Sequence, residues 1–89
     1  MLSVYLRIFN FANMNNNEFS KKFGAFIASK RNELGLSQEQ FSFRSGMHRT
    51  YIGMIERGER NITLINVVKL AHALNMTLSE MFNEYEQYR

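Results

Sequence analysis

The stretch Gln38-Glu-Gln-Phe-Ser-Phe-Arg-Ser-Gly-Met-His-Arg-Thr-Tyr-Ile-Gly-Met-Ile-Glu-Arg57 decides the fold. Ser37 stands just before it with Gln40 three residues on, a capping box that opens a helix. That helix runs over about 38–45 and stops at Gly46, which accepts positive φ in a tight turn at little cost. A second helix starts around His48 or Arg49 and ends before Gly58. Phe41, Met47, Ile52 and Ile55 are spaced so that the two short helices cross and share a core, and Ser42 is small where they would approach. Two short helices over a glycine turn, with no spacer, make the spacing of a helix-turn-helix.

Helical patterning continues on both sides. Phe19, Phe23, Phe26, Ile27 and Leu34 recur at three- and four-residue steps, predicting a helix over 18–34 with Asn17 as its cap and Gly35 after its end. Thr63 caps a helix over 64–74, with Leu64, Val67, Val68, Ala71 and Leu74 on one face. Thr77 and Glu80 form another capping box and open a last helix carrying Leu78, Met81, Phe82 and Tyr85. The fold class is therefore all-α, with five helices. Residues 1–17 differ. Leu2, Val4, Leu6 and Ile8 alternate with Ser3, Tyr5 and Arg7, a period-two strand signal that meets the run Asn13-Met-Asn-Asn-Asn17. Three readings stand for this extension: a disordered or loosely packed segment, a strand that pairs with its copy in a dimer, or translation from Met14. The domain proper is 18–89.

Composition narrows the chemistry. Eighty-nine residues form one small domain, which buries about 60–65% of its unfolded surface and has a thin stability margin. There is no Cys, so disulfides, thiolate metal sites and cysteine nucleophiles are excluded. There is no Asp, which removes calcium loops and aspartic dyads. His48 and His72 have no further ligand at metal spacing, and the methionines read as packing residues. No segment is long and apolar enough to span a bilayer, and a cytoplasmic location fits. The net charge is +3, and it is placed unevenly. Residues 18–60 hold eight basic and five acidic side chains, whereas 76–89 hold three Glu and one Arg. A basic middle and an acidic tail suit a polyanion on one side only.

The segments Gly35-Leu-Ser-Gln-Glu-Gln-Phe41, Ser45-Gly-Met-His-Arg-Thr-Tyr-Ile52 and Ile55-Glu-Arg-Gly58, continued by Asn61-Ile-Thr-Leu64 and Lys69-Leu-Ala-His-Ala-Leu74, resemble the lambdoid repressor and Cro class of helix-turn-helix, the XRE family. The resemblance covers roughly residues 19–83. His48 to Ile52 and Arg57 to Asn61 look most like the controller proteins of restriction–modification systems. The resemblance implies a lambda-repressor-like DNA-binding domain and a regulator that binds operators as a homodimer. Three positions depart from the pattern: Ser42 where Ala is usual, Phe41 where Leu is frequent, and Gly53 where controller proteins often have Ser.

Roles follow residue by residue. A helix N-terminus fits the major groove with its first turn against the bases, which makes Arg49 the candidate for bidentate readout of guanine. Thr50 and Tyr51 are placed to touch a thymine methyl or a phosphate; Tyr51 has a second reading, as a rim residue over the core. Gln38 at the first turn of the helix over 38–45 holds a phosphate by resemblance, and a helix start favours an anion there in any case. Its plainer reading is a good helix-start residue. Arg44, Arg57, Arg60 and Asn61 are candidates for positioning on the DNA backbone. His48 either caps the helix that starts there or lies near the phosphates. By resemblance Glu56 pairs with Arg31 in a structural ion pair. Leu74, Leu78, Met81, Phe82 and Tyr85 crowd large apolar groups near the C-terminus and predict a self-contact surface, the alternative being closure of the monomer core.

The expected function is a sequence-specific, DNA-binding transcriptional regulator, a homodimer on a palindromic operator in double-stranded DNA and the controller of a restriction–modification system. An antitoxin of the same fold, binding a toxin and its own operator, is the competing expectation. An enzyme is not expected, for want of a nucleophile–base pair or phosphate loop. Neither a cofactor, a metal nor a small-molecule ligand is expected.

Overall fold

The computed structural model describes residues 16–88, which form five helices: α1 (Asn16–Glu33), α2 (Gln38–Ser45), α3 (Arg49–Glu56), α4 (Leu64–Ala73) and α5 (Leu78–Gln87). The alternating stretch Leu2–Ile8 and the start of the Asn run lie outside the described residues. There is no strand among the described residues.

The capping chemistry forms as the side chains dictate. Ser37 accepts from the Gln40 amide while the Gln40 side chain accepts from the Ser37 amide, and Thr77 and Glu80 do the same for α5. Thr63 caps α4. Asn17 does not cap α1: the helix already runs through it. At the end of α3 the Gly58 amide donates to Ile55 and the Glu59 amide donates to Met54, a complete Schellman motif with Gly58 at φ +75°. Asn75, at φ +58°, closes α4 in the same way.

The core is centred on Phe26, Ile27, Phe41, Ile52, Ile55, Leu70 and Met81, all fully buried. Helix α1 packs on α3, α2 packs on α3 and α4, and α4 packs on α5. Two glycines permit the first contact. A Cβ on Gly24 would stand 2.1 Å from the Ile55 carbonyl oxygen, and one on Gly58 would stand 2.6 Å from Lys21 Cα. Backbone meets backbone there, and α1 is seated against the C-terminal end of α3.

Aromatic rings seat α5 on α1. Tyr85 lies 5.5 Å from both Phe23 and Phe26, centroid to centroid, in edge-to-face geometry, and 5.7 Å from Phe19. Burial pushes the Tyr85 phenol above its ordinary pKa. Lys30 adds ion pairs to Glu33 and to Glu84 of α5.

The apolar stripes are not all inward. Leu74, Met81 and Tyr85, expected at a self-contact surface, are buried in the monomer. The turn after α4 folds Leu74 inward, and α5 lays Met81 and Tyr85 on α1 and the core. The face read for α4 is split: Leu64 and Val68 are exposed, while Leu70, Ala71 and Ala73 turn inward. Leu78 and Phe82 stay on the surface, as does Ile65.

Candidate nucleic-acid interface

Helix α3 begins at a histidine cap. His48 is extended (φ −63°, ψ 140°), and its Nδ1 accepts a hydrogen bond from the Thr50 amide at 3.1 Å. A neutral imidazole that accepts at Nδ1 carries its proton at Nε2, so the exposed ring keeps one donor. Arg49 and Thr50 follow in the first turn, both exposed. Arg49 makes no hydrogen bond or ion pair among the described residues, so its five donors are uncommitted. A helix start that carries unpaired donors and a partial positive charge can receive an acceptor-rich, anionic surface.

The opposite face of α3 is fixed. Ile52, Gly53 and Ile55 are buried. Tyr51 is half-buried against the core, and its hydroxyl accepts from Asn66 Nδ2 at 3.1 Å. The hydroxyl is thereby held by α4.

Glu56 closes the helix on a buried network. Arg31 donates from Nε to one carboxylate oxygen at 2.7 Å and from Nη2 to the other at 2.9 Å. Arg31 Nη1 also donates to the Leu36 carbonyl at 2.7 Å, and Gln38 Nε2 donates to Glu56 at 3.0 Å. The two charged side chains are only 12% and 6% exposed. The hydrogen bond with the Glu56 carboxylate raises the Arg31 pKa further. One acid therefore ties the end of α1, the start of α2 and the end of α3 together. Gln38, expected to hold a phosphate through its side chain, gives one of its two Nε2–H donors to Glu56. The other Nε2–H and the backbone amides at the start of α2 remain to be offered to an anion.

The turn after α3 carries the remaining cations. Arg57 donates to the Glu59 carboxylate from Nε at 2.7 Å and from Nη2 at 3.3 Å, both side chains being more than half exposed. The hydrogen bond with Arg57 lowers the Glu59 pKa and raises that of Arg57. The guanidinium also rests against α3: a Cβ on Gly53 would stand 3.1 Å from Arg57 Nη1. Arg60 donates weakly to the Met54 sulfur at 3.2 Å. Asn61 and Arg44 are exposed. Thus Arg49, Arg57, Arg60 and Asn61 lie along α3 and its exit turn, and Arg44 lies in the last turn of α2.

Three contributors were missed from sequence: Gly24, Asn66 and Glu59. A glycine inside a helix costs about 0.5–1 kcal/mol relative to Ala, and Gly24 within an apolar stripe is therefore a legible sign of close backbone approach. Asn66 and Glu59 carry no such local signal. No group of three or more His, Asp or Glu with metal-site geometry occurs among the described residues. No helix among them is long and apolar enough to cross a membrane.

A helix-turn-helix family model matches residues 27–81. The control protein C.SmaI of Serratia marcescens is 51% identical over 55 residues, which are 62% of this chain and 66% of that protein. The control protein C.MunI of a Mycoplasma species is 39% identical over 72 residues, 80% of this chain and 97% of its own length. Among solved structures, the restriction-modification controller protein C.Esp1396I, as a tetramer in complex with its natural 35 base-pair operator, superposes with a TM-score of 0.73 at 29% identity, covering 76% of this chain and 90% of that one.

Proposed function

The chain belongs to the helix-turn-helix family of XRE type, and from that we propose that it is a transcriptional regulator of the restriction–modification controller kind, which binds operator DNA as a homodimer. The observation that carries this reading is the state of α3. Its inner face is locked by Ile52, Ile55 and the Glu56 network, while the Arg49 and Thr50 side chains stand exposed at its N-terminal turn with no hydrogen-bond partner among the described residues. A rigid helix presenting a free arginine at its start can enter the major groove and read guanine through its O6 and N7 acceptors. Arg57, Arg60 and Asn61 hold the adjacent phosphate backbone in this reading, and His48 Nε2 adds a neutral donor. Tyr51 sits at the edge of the core, its hydroxyl held by Asn66 of α4.

One such helix reads only a few base pairs, so two copies on a palindromic site are required for specificity. The surface for self-association is the exposed apolar part of α4 and α5: Leu64, Ile65, Val68, Leu78 and Phe82. Leu64 and Ile65 are 74% and 61% exposed, unusual for large aliphatic side chains in a small domain. Similarity to a controller protein solved on its operator supports the choice of partner.

Selection of duplexes from a random-sequence pool tests this reading. The pool should yield a palindromic site, and Arg49→Ala should reduce the preference for that site over random duplex by about tenfold or more per half-site, with the melting temperature unchanged. An unchanged preference would remove α3 as the reading helix.

A further inference from the structure

Glu59 is an acid set among the cations of the proposed DNA-facing turn, and stability does not explain it. It follows the C-terminus of α3, where the helix macrodipole disfavours negative charge. Its ion pair with Arg57 is exposed on both sides, and exposed pairs contribute little to folding. Its position is nevertheless well determined. The Glu59 amide donates to the Met54 carbonyl at 2.9 Å, Gly58 holds φ +75°, and Lys21 lies too close to Gly58 for any side chain there. The backbone thus delivers the carboxylate to Arg57, whose guanidinium is backed by the bare face of Gly53. Nε and Nη2 each meet one carboxylate oxygen. The same edge of a guanidinium, with the same fork, receives two oxygens of a phosphate.

We propose that the Glu59 carboxylate is a built-in stand-in for a DNA phosphate, holding the Arg57 guanidinium in the free protein and giving it up to the backbone when duplex DNA docks. The proposal rests on the DNA-binding reading above and adds a residue that sets how strongly the protein adheres to duplex of any sequence. Because the Arg57 charge is already neutralised, each docking must exchange one ionic partner for another, and the net gain from that arginine is small. Adhesion to arbitrary DNA is thereby held down, while base contacts from Arg49 are untouched.

The test is Glu59→Gln, titrated with a short duplex of arbitrary sequence over a range of salt concentrations. Glu86→Gln, an equal change of charge on the exposed surface of α5, serves as the control. The expected result is binding about fivefold tighter per subunit near about 0.15 M salt, with the log–log salt slope steeper by about 0.9 per subunit, and a much smaller change in the control. The Arg57 Nε–H resonance supplies a second readout. It should differ between the free wild-type protein and free Glu59→Gln, and coincide once both are bound to duplex. A slope matching the control, weaker binding, or bound spectra that still differ would each overturn the proposal while leaving the DNA-binding reading intact. Failure of the wild-type protein to bind any duplex would overturn both.

Discussion

At the scale of single residues, the arginines divide by what surrounds them. Arg31 has its donors occupied by Glu56, the Leu36 carbonyl and Asn32, and it is largely buried. It is a structural cation. Arg49 has no partner among the described residues and is exposed, which leaves it available to DNA. Breaking a buried pair strands the remaining charge, so Arg31→Ala should cost about 3 kcal/mol, measured by urea unfolding. That figure is the low end of the usual range because Arg31 keeps some solvent access. Unchanged stability would mean that water compensates Glu56 in full. The exposure of Arg49 could be anticipated from sequence, since it follows from helix period alone. The Gln38–Glu56 bond could not, because it joins residues 18 apart across two helices.

At the scale of elements, the decisive contact is between α1 and α3. Helix α3 is only eight residues long and would not hold its form alone in water. Its position is imposed by α1, through the contact at Gly24 and the contact at Gly58. Gly24→Ala sets a methyl carbon 2.1 Å from the Ile55 carbonyl oxygen, a clash with backbone that side-chain rotation cannot relieve. The expected loss is about 3 kcal/mol, or on the order of 10–20 °C in melting temperature, despite the better helix propensity of Ala. A stable Gly24→Ala variant would show that α1 can move off α3 freely. Helix boundaries were the most legible feature at this scale. The capping boxes at Ser37 and Thr77 are local chemistry, completed within four residues, and α2 and α5 start where those residues place them. The start of α1 was misjudged because Asn17 is a competent cap residue that the helix simply passes through.

At the scale of the whole molecule, the question is which apolar surface remains after the core closes. Periodicity put Leu64, Val68, Leu74, Met81 and Tyr85 on inward or self-contact faces without separating the two. The tertiary structure separates them: Leu74, Met81 and Tyr85 are inside, and Leu64, Ile65, Val68, Leu78 and Phe82 are outside. Leu64→Glu should therefore convert a dimer to monomer in sedimentation equilibrium with little change in monomer fold. A dimer that persists would place the self-contact elsewhere.

What the sequence determined by itself was everything carried by short-range chemistry. Caps, turn glycines, helix period and the free arginine at the start of α3 specify five helices and a candidate reading surface within a few residues of each position. What only the tertiary structure decided was which partner each side chain meets once helices distant in the chain are brought together. Whether Tyr51 faces DNA or the rim depends on where α4 places Asn66. Whether Tyr85 serves a second copy or the core depends on how α5 meets the rings of α1. The physical reason is that an amphipathic stripe reports that a surface must be covered, while the identity of the cover is set by packing among helices, which no local pattern encodes.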